Sequence, residues 1–191
     1  MEAEQGSSLY TRYAREEPGE IVDLLTAVVD AMSDRKSALR GRVRTVDPTA
    51  EIPLELLIVD ELAAVTKYLG DKRAQQEAER LLGILLTQGR ALGFVSWAFA
   101  QEPTKEIVPM RSLFPYRIAL RLDSSSQVNM TLGESAWELG ARAETIPRAL
   151  PGVAYVTEDG VREPSRVRAG YTPDAEIRRV AEVYPAPPAA A

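Results

Sequence analysis

LELLIVDE, residues 54–61, carries the strongest fold signal in this sequence. Apart from Glu55 it is an aliphatic run, and it ends in two adjacent carboxylates, Asp60 and Glu61. A short run this rich in Leu, Ile and Val is typical of a strand that is buried on both faces, as in a parallel sheet between helices. We therefore predict an α/β fold with a buried strand over 54–59 and the acid pair at its carboxyl end, where such sheets bind ligands.

The acid pair has two interpretations. In P-loop ATPases an Asp at the end of such a strand orients Mg²⁺ and its waters, and the following Glu polarises the attacking water. In the structural interpretation the strand belongs to the core, and Asp60 and Glu61 form a solvated turn. The pattern alone does not decide between the two.

Composition excludes several kinds of chemistry. The 191 residues contain no cysteine and no histidine, which excludes disulfides, thiolate-bound or His-ligated metal and Ser-His-Asp catalysis. No apolar run approaches the ~20 residues of a membrane span, and the polar residues 1–8 do not form a secretory signal. Any catalysis must therefore use carboxylates, hydroxyls, amides and arginines, in a chain large enough for one domain.

The net charge of −5 argues against general attraction to nucleic acid. Nucleic acid would have to meet a local basic surface, and two basic clusters are present. We interpret both as solvated faces, which is the usual state of such clusters. The first contains Arg35, Lys36, Arg40, Arg42 and Arg44, and the second contains Arg162, Arg166 and Arg168.

Hydrophobic periodicity predicts three segments: a linker-like stretch over 1–19, a folded part over 20–184, and a disordered Pro/Ala tail over 185–191. Strand, helix and strand between residues 54 and 100 predict a right-handed parallel crossover. The predicted helices lie from Glu20 to near Gly41 and over 73–90, 106–113, 127–132 and 174–183; the predicted strands cover 54–59, 94–100 and 116–122, followed by a hairpin within 152–167.

Four motifs in order resemble the FtsK/SpoIIIE family of hexameric DNA-pumping ATPases, which includes plasmid-transfer translocases of filamentous actinobacteria. In that family an Asp-Glu strand precedes a helix that ends in Arg-Ala-x-Gly. A strand ending Ala-Thr-Gln-x-Pro and a strand like Pro-x-Arg-Ile-Ala follow. The resemblance covers residues 20–157. The matching segments here are LLIVDELA (56–63), TQGRALGF (87–94), FAQEP (99–103) and PYRIALRL (115–122).

This resemblance implies the C-terminal part of a RecA-like P-loop ATPase domain, a mostly parallel sheet flanked by helices, with a C-terminal β-hairpin. It also implies ATP and Mg²⁺ as cofactors and double-stranded DNA as cargo. The expected assembly is a homo-oligomeric ring, a hexamer. The expected location is the cytoplasm, and membrane attachment through a region outside this chain is left open. The implied activity is ATP-driven DNA translocation of the plasmid-transfer or chromosome-segregation type.

The resemblance also implies a role for four residues. Asp60 matches the acid that holds Mg²⁺ through water, and Glu61 matches the catalytic base. Gln101 matches a polar sensor placed to contact the γ-phosphate or the attacking water, and Arg90 matches an arginine finger that reaches a neighbouring subunit's nucleotide. The structural alternative for Arg90 is a cation that complements the helix dipole, and for Gln101 a polar residue in a turn.

The sequence departs from the family in two places. No G-x-x-x-x-G-K-[ST] phosphate loop is present, so the chain alone should bind ATP poorly and should expose apolar sheet surface. The loop over 123–129, which usually carries a Lys and an Arg in this family, has no basic residue, which weakens the expectation of DNA contact there.

Two rival functions remain open. One is a secretion or coupling ATPase of the same superfamily that handles protein cargo, which the acidic charge and the non-basic loop favour. The other is a non-catalytic, truncated paralogue that docks on full-length subunits, which the missing phosphate loop favours. An intact Asp60, Glu61 and Gln101 argue against long decay.

Overall fold

The computed structural model describes residues 3–187, so the ends of the predicted 1–19 and 185–191 segments lie outside the described residues. The chain forms two compact units, one made of the residues up to Gln101 together with those from Asp174 on, the other of Glu102–Pro173. The α-helices are α1 (Pro18–Leu39), α2 (Leu62–Thr66), α3 (Lys72–Leu92), α4 (Ser125–Leu132) and α5 (Asp174–Val183); the strands are β1 (Glu55–Val59), β2 (Phe94–Ala98), β3 (Tyr116–Ala119), β4 (Val153–Glu158) and β5 (Ser165–Arg168). Short 3-10 helices cover Ala3–Leu9, Arg111–Leu113 and Ala143–Thr145.

The first unit contains the predicted crossover. β1 and β2 pair in parallel, with Glu55 opposite Phe94 and Val59 opposite Ala98, and α3 connects them. The predicted class of an α/β fold with a parallel sheet and a C-terminal hairpin is confirmed.

Helix α3 is defined by its two ends and by one close contact. The Asp71 carboxylate caps its start by accepting hydrogen bonds from the N–H groups of Arg73 (2.7 Å) and Ala74 (3.0 Å). Gly93, with a positive φ of 76°, ends it. A Cβ at Gly89 would lie 2.7 Å from the carbonyl oxygen of Phe94, so only glycine lets the helix approach β2 this closely. The core stripe of α3 consists of Ala78, Leu81, Leu82, Leu85 and Gly89.

Arg35 corrects the interpretation of the first basic cluster. Its guanidinium donates to the carbonyl oxygens of Pro53 (2.9 Å) and Leu92 (3.0 Å) and pairs with Glu55 at 3.3 Å. It also lies 4.5 Å from the centre of the Phe94 ring. Only 13% of the Arg35 side chain is exposed. The prediction of a solvated face is wrong for Arg35, because this side chain connects α1 to the beginnings of both strands.

The predicted burial of β1 on both faces is wrong for one face, where the structure instead has the exposed apolar sheet surface that the missing phosphate loop led us to expect. Residues paired across a parallel sheet lie on the same side, and Leu56 and Ile58 lie with Trp97 on a side where 43%, 38% and 55% of each residue is exposed. On the opposite side Val59 and Phe94 are buried, and α3 packs closely against Phe94 of β2. We call the exposed side the open face; it also includes Leu54, Val95 and Phe99.

The second unit is an antiparallel sheet in the order β3-β4-β5, packed against α4. The predicted strand over 116–122 ends at Ala119 and pairs with β4 rather than extending a parallel sheet. The predicted helix over 106–113 is wrong: only Arg111–Leu113 forms a 3-10 turn, because Pro109 has no N–H to continue a helix. The core of this unit contains Ala119, Val128, Leu132, Ala136, Ala141, Ala143, Ile146 and Val153.

Within residues 3–187, none of the helices combines the length and hydrophobicity that a membrane span requires.

Candidate functional site at the strand ends

The carboxyl ends of β1 and β2 bring the predicted catalytic segments together. Beyond the strands, the Phe99 N–H donates to the Val59 carbonyl at 2.9 Å, and the Leu62 N–H donates to the Phe99 carbonyl at 2.7 Å. These bonds extend the pairing of the two chains past the last strand residues. Asp60, Glu61 and Gln101 therefore follow two paired segments at the same end of the sheet, which is where parallel sheets bind ligands.

Glu61 is fixed by main-chain hydrogen bonds on both oxygens of its carboxylate. Oε1 accepts from the Ala63 N–H at 2.9 Å, which makes Glu61 the N-cap of α2. Oε2 accepts from the Gln101 N–H at 3.3 Å. The side chain is half-buried. This carboxylate thus connects the start of α2 to the segment that follows β2.

A short hydrogen-bond chain supports α2 from its other end. The Thr66 hydroxyl donates to the Leu62 carbonyl at 3.0 Å and is buried. The Gln75 amide, on the first turns of α3, donates to the Thr66 carbonyl at 2.5 Å. Gln75 therefore holds the helix that begins at Glu61. Sequence patterns do not predict this role, because the contact joins two helices across a loop.

Asp60 is exposed, and among the described residues it has no hydrogen bond or ion pair. No group of three or more carboxylates that could hold a metal ion occurs among residues 3–187. One free carboxylate is nevertheless the donor set that suits Mg²⁺ in nucleotide sites, because the metal is bound there by one or two carboxylates together with phosphate oxygens and water. Asp60 fits that use.

Gln101 contacts Glu61 through its main chain, and its side chain is exposed. The amide group is therefore available at the same end of the sheet as Asp60 and Glu61. The predicted alternative, a polar residue in a turn, describes the same geometry without a ligand.

Arg90 lies apart from the other three predicted residues. It is exposed in the last turn of α3, and Gly93 leads from there directly into the start of β2. Gln101 follows the other end of that strand, seven residues after Phe94, a span of up to ~23 Å at about 3.3 Å per residue. In this chain Arg90 is not brought to Glu61, so a finger role requires a second subunit.

The 123–129 loop begins α4. The Ser124 hydroxyl caps the helix by accepting from the Gln127 N–H at 3.3 Å. Asp123 lies 3.8 Å from Arg121, and the Asn129 side-chain oxygen accepts from the Trp137 N–H at 2.9 Å. The loop therefore carries helix-capping and internal contacts, and its sequence supplies no cation.

Comparison with known proteins supports the resemblance that the four motifs indicated. The chain is 28% identical over 199 residues to the transfer protein TraSA of Streptomyces ambofaciens, a match that covers 90% of this chain and 48% of that protein. No protein-family model matches the chain. The chain is thus similar to FtsK/SpoIIIE-type motor ATPases, as its motifs predicted.

Two solved structures share its fold. The pCW3 conjugation coupling protein TcpA, in a monomer form with ATPγS, gives a TM-score of 0.70 at 18% identity over 87% of this chain and 49% of that one. The cytoplasmic domain of the Thermomonospora curvata type VII secretion ATPase EccC gives 0.64 at 20% identity over 88% of this chain and 20% of that one. The chain spans about half the length of TraSA and of TcpA.

Proposed function

We propose that this chain is the hydrolytic half of an ATP-driven motor that translocates double-stranded DNA in plasmid transfer. The observation that carries the proposal is the Glu61 carboxylate, held between α2 and the end of β2 with the free carboxylate of Asp60 beside it. A base for water activation must be positioned before the reaction, and two main-chain donors fix this one.

Each predicted residue has a distinct part in this proposal. Glu61 accepts the proton of the attacking water, and Asp60 holds Mg²⁺ through water. The metal, when bound, neutralises the charge that develops on the phosphates. Gln101 contacts the γ-phosphate or the attacking water with its exposed amide. Arg90 acts on the nucleotide of a neighbouring subunit, since it lies at the opposite end of β2.

The proposal requires a phosphate loop from elsewhere, because this sequence has none. The open face supports the same requirement: parallel sheets are covered on both faces, and α3 covers only one. We propose that a segment carrying the phosphate loop covers it, in a ring of identical subunits, expected to be a hexamer, in the cytoplasm.

Protein cargo is the second candidate. The similarity in fold to a secretion ATPase, the net charge of −5 and the absence of any basic residue from the 123–129 loop favour it. We prefer DNA because the chain covers about half the length of a transfer protein and of a conjugation coupling protein. It covers only 20% of the secretion ATPase chain.

The test joins this chain to a phosphate loop. In a hybrid, residues 20–184 replace the matching half of TraSA, and ATP binding and DNA-stimulated hydrolysis are measured. Glu61→Gln should leave the Kd for ATP unchanged and lower turnover by a factor of about 10² or more, because the amide keeps the shape but cannot accept a proton. Glu182→Gln, an exposed carboxylate in α5, is the matched control and should leave both unchanged.

Turnover of the Glu61→Gln hybrid close to that of the unmodified hybrid would remove Glu61 from the reaction. Stimulation by a protein substrate with none by DNA would favour the second candidate. A hybrid that folds and binds no ATP would support the non-catalytic alternative.

A further inference from the structure

The second basic cluster lies along an unpaired sheet edge. β5 is the last strand in the order β3-β4-β5, so one of its edges has no partner strand among the described residues. Arg166 lies opposite Tyr155, and Arg168 lies opposite Val153. Alternate strand residues share a face and lie about 6.6 Å apart along the strand. We call Arg166, Arg168 and the nearby Arg162 the arginine edge.

These three guanidinium groups are not neutralised locally. All three residues are exposed, and none forms an ion pair or hydrogen bond with another residue in the part of the chain that the structure describes. Elsewhere exposed arginines do pair, for example Arg80 with Glu77 at 2.6 Å. Residues 164–173 contain no acid, although Glu163 directly follows Arg162, so Arg166 and Arg168 have no acid within the strand or directly beside it in sequence.

The main chain of the same residues also faces the open edge. The Ala169 N–H donates to the Gly152 carbonyl at 2.9 Å. Antiparallel strands alternate between hydrogen-bonded and non-hydrogen-bonded pairs, which places the N–H groups of Arg166 and Arg168 on the side away from β4. Each arginine of this outermost strand therefore has its N–H group at the unpaired edge and an exposed side chain on the face that it shares with Tyr155 and Val153.

We propose that the arginine edge binds the phosphate backbone of double-stranded DNA; this rests on the proposed function. Arginine binds phosphate with two parallel hydrogen bonds, and main-chain N–H groups are common phosphate donors. The edge supplies both at regular spacing, and Tyr171, 90% exposed, follows three residues after Arg168. The arginine edge thus provides the cations that the 123–129 loop lacks.

Addition of a strand from another protein is the competing use of such an edge. Charged side chains along an edge oppose strand addition, and this strand carries two arginines in four residues. Phosphate is therefore the ligand that the edge fits better.

The experiment measures binding of the whole chain to a fluorescent 20-base-pair duplex by anisotropy, without nucleotide, at several salt concentrations. Each lost phosphate contact reduces the slope of log K against log salt by about 0.9. Arg166→Ala/Arg168→Ala should reduce the magnitude of the slope by about two and weaken binding at every sequence tested. The control, Arg42→Ala/Arg44→Ala, removes the same charge from the exposed connector before β1 and should leave the slope unchanged.

A second variant separates charge from geometry. Arg166→Lys/Arg168→Lys keeps both cations, so the slope should stay as in the unmodified chain while affinity falls severalfold, since Lys cannot form the two-pronged contact. Thermal unfolding of each variant verifies that the fold is retained.

Four results would overturn the proposal. The first is an equal loss from the two alanine pairs, and the second is no DNA binding by the unmodified chain. The third is that the β5 substitutions abolish binding of another polyanion, such as polyglutamate, and leave DNA binding unchanged. The fourth is aggregation of the β5 variant with an unchanged slope, which is expected if the arginines only prevent strand pairing. DNA binding that is unaffected by β5 substitution leaves the hydrolysis test above unaffected, so the two proposals fail separately.

Discussion

The parallel sheet and the antiparallel sheet of this chain differ in how their apolar side chains are covered. In β1 and β2, helices cover one face, and Leu56 and Trp97 on the other face remain exposed. In the antiparallel sheet the central strand β4 has a strand on each side and buries Val153, Ala154 and Val156, whereas Ile118 and Val167 in the outer strands are exposed. An apolar run therefore shows that a strand needs cover, and it does not show whether the covering segment lies in the same chain.

The largest expected effect comes from replacing one leucine with alanine in each unit. Leu132→Ala removes a side chain that is 4% exposed in the α4 core and should lower the free energy of unfolding by about 2–5 kcal/mol. Leu56→Ala on the open face removes far less buried area and should cost about 1 kcal/mol or less. Urea unfolding of both variants measures the two values. Equal losses would mean that the open face is covered in solution, for example by self-association, which sedimentation would detect.

A smaller effect is expected where α3 covers the parallel sheet. Gly89→Ala places a Cβ 2.7 Å from the Phe94 carbonyl oxygen and should destabilise the first unit by about 1–3 kcal/mol, as overpacking does. Gly83→Ala, in the same helix, meets no atom within 4 Å and should stabilise it by about 0.5–1 kcal/mol through helix propensity. Thermal unfolding of the pair measures both signs. A stabilising Gly89→Ala would mean that α3 and β2 lie further apart than in the structure.

The same contrast explains what the sequence could predict. The bounds of α5 and the capped starts of α3 and α4 follow from local signals, namely periodicity and a side chain that accepts from the first N–H groups. The burial of Arg35 depends on segments far away in sequence, whereas the missing phosphate loop predicted exposed apolar sheet surface without showing which face of β1 it would be. The error over 106–113 has a local cause, because Pro109 has no N–H group to continue a helix.

The candidate site was also predictable only in part. A parallel crossover places the ends of both strands together, so the proximity of Glu61 and Gln101 follows from the sequence. That Gln101 holds Glu61 with its main-chain N–H, and that Gln75 holds α2, does not follow, because no side-chain pattern encodes a main-chain contact.

The smallest expected effect distinguishes the two units by pH. α3 begins at a carboxylate and α4 at a hydroxyl, Asp71 and Ser124. Hydrogen bonds from the N–H groups of Ala74 and Arg73 hold the pKa of Asp71 below its ordinary value of 3.8. A depressed pKa in the folded state means that the cap's contribution is complete above the unfolded-state pKa and is lost as pH falls through the folded-state pKa. Only α3 should therefore loosen in acid through its cap.

Hydrogen exchange of the first-turn amides, followed from pH 6 down to pH 2 and corrected for intrinsic rates, measures this loosening. Asp71→Asn keeps an acceptor that does not titrate, so α3 should lose its pH dependence. Ser124→Ala should cost roughly 1 kcal/mol at every pH, because a hydroxyl does not ionise in this range. If α3 in Asp71→Asn still loosened between the same pH values as in the unmodified chain, the acid sensitivity would belong to another group and the contrast between the two helix caps would be lost.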